Sequence, residues 1–157
     1  MSIDEYVNEF GEQGDQEEKK IDVVCNPRVE EICKRYEEYL RNITAFDIPE
    51  NYIKAIQIKK FHPTSQEIKD FSLELLRYQD RDFFSETGAF LSALINNSYD
   101  QYFEIITEHL EERINFIGYR NTKGVLVRGG VENCLGFDMI GGWIHIKGWV
   151  GHGIGNG

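Results

Sequence analysis

Basic residues are in short supply: 17 Lys and Arg stand against 27 Asp and Glu, a net charge of −10 over 157 residues. Such a chain repels a phosphate backbone, so nucleic acid is not an expected partner, and an anionic membrane surface is disfavoured for the same reason. Cysteine is scarce too. Cys25, Cys33 and Cys134 are an odd number with no C-x-x-C pair, which argues against a disulfide framework and a zinc ribbon. No apolar run approaches the ~18 residues of a membrane helix, and the N-terminus lacks the basic-then-apolar pattern of a signal peptide. The expected location is the cytoplasm, where the sequons Asn42-Ile-Thr44 and Asn96-Asn-Ser98 carry no meaning. Glycine is nearly absent from the first 117 residues, which hold three of the 15; the other 12 fall between Gly118 and Gly157.

What is present divides the chain in three. Residues 1–20 carry seven acids and two lysines, a net of −5, and read as a solvated acidic lead-in. The alternative is a peptide that docks on a basic partner. Residues 21–113 read as a helical domain. Asn26 can cap and Pro27 suits the first helical position, after which Val29, Ile32, Cys33, Tyr36 and Leu40 recur at helical spacing. Residues 44–51 read as a loop, and 52–61 suit either a strand or a helix. Thr64 with Glu67 is a capping-box pattern ahead of Ile68, Phe71, Leu75 and Tyr78. A third helix is predicted over 81–96 and a fourth from Ser98, with Tyr102, Ile105, Ile106 and Leu110 as its stripe to about Arg113.

Residues 114–157 differ in kind. Four bases outnumber two acids, helical spacing disappears, and a 19-residue repeat takes over. Val125–Asp138 falls on Ile144–Gly157 with Gly129/Gly148, Val131/Val150 and Gly136/Gly155 identical; Val125/Ile144, Val127/Ile146, Arg128/Lys147 and Leu135/Ile154 are conservative. A fixed period marks stacked repeats. Nineteen residues make roughly 60 Å of extended path, about one circuit of a narrow apolar core, with successive circuits pairing in parallel about 4.8 Å apart. Val125, Val127, Val131 and Leu135 would point inward, with Ile144, Ile146, Val150 and Ile154 below them; Leu126 and His145 would point outward. The expected fold is therefore α+β: an N-terminal helical unit followed by a short, glycine-rich, right-handed β-helix segment of about two coils.

Residues 124–155, and Met139-Ile-Gly-Gly-Trp-Ile-His-Ile-Lys-Gly148 within them, resemble the GXGXG repeat domain. That domain is the C-terminal β-helix of the glutamate synthase large subunit and also occurs in formylmethanofuran dehydrogenase. The likeness covers about 34 of 157 residues, taken over 124–157. It implies a scaffold without catalytic residues, and Gly129, Gly136, Gly141, Gly142, Gly148 and Gly155 as the structural repeat glycines. Two coils need neighbours. Either the chain is a fragment of something longer or a partner covers the open end, while the helical unit could cap the other end.

Other chemistry is weaker. Gly151-His-Gly-Ile-Gly-Asn-Gly157 lacks the strand–loop–helix order of a dinucleotide site. Cys134, His145 and His152 are soft ligands in adjacent coils, but solvated histidines and a small buried thiol are the commoner outcome. Leu126, Phe137, Trp143 and Trp149 are interface candidates, with Trp149 grouped with Leu126 and Phe137; the competing reading is a contact to the helical unit. The expected function is a non-catalytic module that docks in a larger complex of amidotransferase or redox kind. No cofactor is expected, and the partner is another protein or a second copy. The alternative is a small metal- or ligand-binding protein, or an enzyme using Cys134, His145 and His152.

Overall fold

The structure is a computed structural model and describes residues 26–44, 47–56 and 61–155. The acidic lead-in and residues 57–60 of the ambiguous 52–61 stretch lie outside the described residues.

The protein is α+β. Helix α1 (Pro27–Asn42) starts where Asn26 Oδ1 accepts from Arg28 N–H at 3.0 Å, and it buries Val29, Ile32, Cys33, Tyr36 and Tyr39. Helix α2 (Ile48–Ile56) occupies part of the segment expected to be a loop. Asp47 Oδ1 accepts from Glu50 N–H at 3.1 Å, and Pro49 sits in the first turn, where its missing N–H costs nothing. Helix α3 (Ser65–Glu74) opens with the expected box: Glu67 N–H donates to Thr64 Oγ1 and Thr64 N–H to Glu67 Oε2. It runs on into a 3₁₀ turn over Leu75–Tyr78. Helix α4 (Thr87–Asn97) is buried from Thr87 through Ile95 and lies at the centre of the molecule, as an element that is apolar on most sides must.

The expected fourth helix is absent. Tyr102–Ile106 is instead strand β1, and Ser98 to Gln101 lead into it without a helix. Four further strands follow: β2 (Gly124–Arg128), β3 (Val131–Asn133), β4 (Trp143–Lys147) and β5 (Val150–His152). One sheet has the order β1-β2-β4 and the other β3-β5; both are parallel. Val125 pairs with Ile144, Val127 with Ile146 and Val131 with Val150, which is the 19-residue offset of the repeat. The chain therefore visits the two sheets in turn. A rung ahead of the repeat is formed by β1 on β2 and by Ile114 bridged in parallel to Val131.

Helices and strands share one apolar cluster that runs from Val29 to Leu135. Alternate residues of the strands feed it: Phe103, Ile105, Val125 and Val127 are all buried. Helix α3 closes the β1 side of the ladder. Ile106 N–H donates to Ser72 Oγ at 3.0 Å, and Lys69 reaches across to Glu104. Ser92 joins α4 to the segment before β2. Its hydroxyl donates to Gly88 O and accepts from Gly118 N–H at 2.9 Å and Tyr119 N–H at 3.1 Å.

Candidate interaction surface

Two surfaces of the ladder are open, and both are built from residues of the repeat. The first is its last rung. Inward cover falls rung by rung: Val125 and Val127 are 0% exposed, Ile144, Ile146 and Val150 are half-buried, and Ile154 is 62% exposed. The physical cause is position. Each rung is covered by the next, and among the described residues no strand pairs with the far edges of β4 and β5. Met139 and Ile140 add exposed apolar surface in the turn before β4.

Corner glycines let the rungs close up. Val131 N–H donates to Trp149 O at 2.9 Å and Gly129 N–H to Lys147 O at 3.1 Å, so the corners stack as the strands do. A β-carbon on Gly148 would lie 2.0 Å from Gly129 O, and one on Gly129 would lie 2.4 Å from Glu108 N with φ already at +121°. Gly141 has open space around it.

The second surface is the outer face of the β1-β2-β4 sheet. Tyr102, Gly124 and Trp143 lie in register across it, as do Glu104, Leu126 and His145. Tyr102 and Trp143 lean over Gly124 with ring centroids 6.3 Å apart, an approach a side chain there would block. With Ser65, Gln66 and Lys69 of α3 they border an open groove of about 410 Å³ that also includes Leu126. Glu104 crosses the groove's floor. The Lys69 ammonium at 2.6 Å and the Arg128 guanidinium hold its carboxyl at about 2, far below the usual carboxylate range. His145 and Lys147 stand exposed on the same face.

The interface candidates scatter accordingly. Leu126 and Trp143 meet at this groove. Trp149 and Phe137 have neighbours of their own: the Arg113 guanidinium sits 4.1 Å from the Trp149 ring centre, and Phe137 stacks on Tyr119 at 6.0 Å. The soft ligands do not assemble either. Cys134 N–H donates to His152 O at 2.9 Å, a backbone contact, while His145 lies on the other sheet. Among the described residues no three His, Cys, Asp or Glu side chains come together as a metal site.

Tyr102, Lys69 and Glu104 were missed by sequence reasoning because β1 was expected as helix. The signal that could have found them is Ile105-Ile106-Thr107, three β-branched residues in a row, which favours a strand. No family model matches the chain, and no curated protein or solved structure matches it. Among the described residues no helix is long and apolar enough to cross a membrane.

Proposed function

We propose that the protein is a non-catalytic assembly module whose C-terminal part is a right-handed β-helix segment of the GXGXG kind, and that it docks through its last rung in a larger complex. The complex would be of the amidotransferase or redox type in which such domains serve as scaffolds. The observation that carries the reading is the falling cover of the inward residues, from fully buried Val125 and Val127 to Ile154 at 62% exposure. A partner surface that completed the cover of Ile144, Ile146, Val150 and Ile154 would gain on the order of 3–5 kcal/mol from apolar burial, at 1.5–3 kcal/mol for each fully buried side chain. The parallel 19-residue register supports the repeat architecture, and α3 over β1 supplies the closed end that a stack of rungs requires. Cys134 and His152 lie side by side on one sheet while His145 lies on the other, so the three do not share one site.

The test is hydrogen exchange on the purified chain, alone and in whatever assembly it forms. The amides of 143–155 should exchange quickly in the isolated chain and slow on association, and Ile154→Lys should abolish the association. Two results would contradict the proposal. One is an assembly that leaves exchange in 143–155 unchanged. The other is a chain that stays monomeric by light scattering and brings no stoichiometric partner from its native extract.

A further inference from the structure

The open edge of β4 is self-complementary. Trp143 N–H donates to Lys123 O and Gly129 N–H to Lys147 O, each at 3.1 Å. The N–H and C=O of one residue point to one side of a strand and those of the next to the other, so Trp143, His145 and Lys147 turn their backbone groups toward β2. Those of Ile144 and Ile146 face the open edge, where among the described residues no strand meets them. Side chains alternate in the same rhythm. Ile144 and Ile146 are half-buried against the core, and Trp143, His145 and Lys147 are exposed.

We infer that a second copy of this chain covers that edge, β4 antiparallel to β4, about a two-fold axis at His145. The inference rests on the docking reading of the last rung and names the partner. In this register Ile144 lies opposite the partner's Ile146, and Ile146 opposite the partner's Ile144. Each such pair exchanges two N–H···O=C bonds, which uses every backbone group that the two isoleucines leave free. Opposite residues share a face, so isoleucine meets isoleucine over one continuous core. On the outer face Trp143 meets the partner's Lys147, a ring against an ammonium. Moving the axis to Ile144 or Ile146 breaks that last pairing.

Charge points to the same face. Two chains of net charge −10 repel each other over most of their surface, but residues 139–155 contain no acid. The last rung is therefore where two copies approach with least repulsion. Exposed Met139, Ile140 and Ile154 add apolar area around the edge. The helical unit packs at the other end of the stack, where Ser72 of α3 accepts from Ile106 N–H of β1 and Ser92 of α4 from Gly118 N–H.

Sedimentation equilibrium and oxidative cross-linking of the full chain test this. The wild type should show a monomer–dimer equilibrium. His145→Glu sets two carboxylates against each other at the axis and should raise the dissociation constant roughly threefold at low salt, with a smaller effect at high salt. His145→Cys would bring two thiols across a pair whose Cα atoms stand about 4.5 Å apart, within disulfide reach. Two copies of Lys147→Cys would stand about 13 Å apart along the edge. Mild oxidation should therefore link position 145 to its own copy and leave position 147 unlinked. A wild type that stays monomeric at its highest soluble concentration would overturn the inference. So would a dimer in which Lys147→Cys links and His145→Cys does not. The docking reading fails separately: a monomer whose 143–155 amides slow on binding another protein keeps that reading and refutes the second copy, whereas unchanged exchange there in every assembly refutes both.

Discussion

Gly148→Ala isolates the close approach of the glycine turns that follow β2 and β4. The new methyl carbon would start 2.0 Å from Gly129 O and 2.5 Å from Gly129 C. An ordinary carbon–oxygen contact is about 3.5 Å, so one backbone must retreat by more than 1 Å from the other. The opposing atoms are main chain, and Gly129 is itself held by Thr107 and Glu108, which leaves no side chain to swing away. Overpacking of this sort costs roughly 1–3 kcal/mol. The cost has a ceiling, because the last rung can detach: it gives up the hydrogen bonds Gly129 N–H to Lys147 O, Val131 N–H to Trp149 O and Cys134 N–H to His152 O. Gly141→Ala is the control, since a methyl there meets nothing within 4 Å. Thermal unfolding with hydrogen exchange provides the assay. Gly148→Ala should lower the melting temperature by several degrees, at about 2–4 °C per kcal/mol, and speed exchange in 143–152 most. Gly141→Ala should do neither. Equal behaviour of the two variants would refute the stacked-corner account.

Two further outcomes follow from buried or paired polar groups. Ser92→Ala strands the buried Gly118 N–H and leaves Tyr119 N–H only its 3.4 Å bond to Phe116 O, so urea unfolding should show a loss of about 1–3 kcal/mol for the stranded donor; a loss under 0.5 would contradict the contact. Glu104, with a folded value of about 2 against the ~4.3 of an unfolded Glu, contributes stability that is complete above about pH 4.3 and lost as pH falls toward 2. The stability gap between wild type and Glu104→Gln should therefore shrink over that window, and a gap constant with pH would show that Lys69 and Arg128 do not act through the carboxylate's charge.

The sequence made the repeat legible because three things coincide in its frame: β-branched inward residues, a glycine at the stacked corner and a constant length per circuit. Those features place Val125 beside Ile144 and Val131 beside Val150. Helix starts were legible where a side chain meets an orphan N–H, as at Asn26 and Thr64. The first rung was hidden because its spacing is irregular. Tyr102 pairs with Gly124, 22 positions on, whereas Ile114 pairs with Val131, 17 positions on. Residues 107–113 extend its corner, so no fixed period reaches it. Its residues Tyr102, Ile105, Ile106 and Leu110 also satisfy helical spacing by accident. The groove depended on that rung and so was hidden with it. The start of α2 is written in Asp47, whose carboxylate accepts from Glu50 N–H, and in Pro49 of the first turn, but residue types of this kind suit a loop equally well.

Interstrand nuclear Overhauser contacts between backbone protons test the coil most directly. Winding of the C-terminal region as successive parallel circuits predicts contacts that link Val125 with Ile144, Val127 with Ile146 and Val131 with Val150, all at one constant offset of 19. Contacts joining Val125 to Ile146 and Val127 to Ile144, the crossed pattern of an antiparallel hairpin, would contradict the coil and the docking end it leaves open.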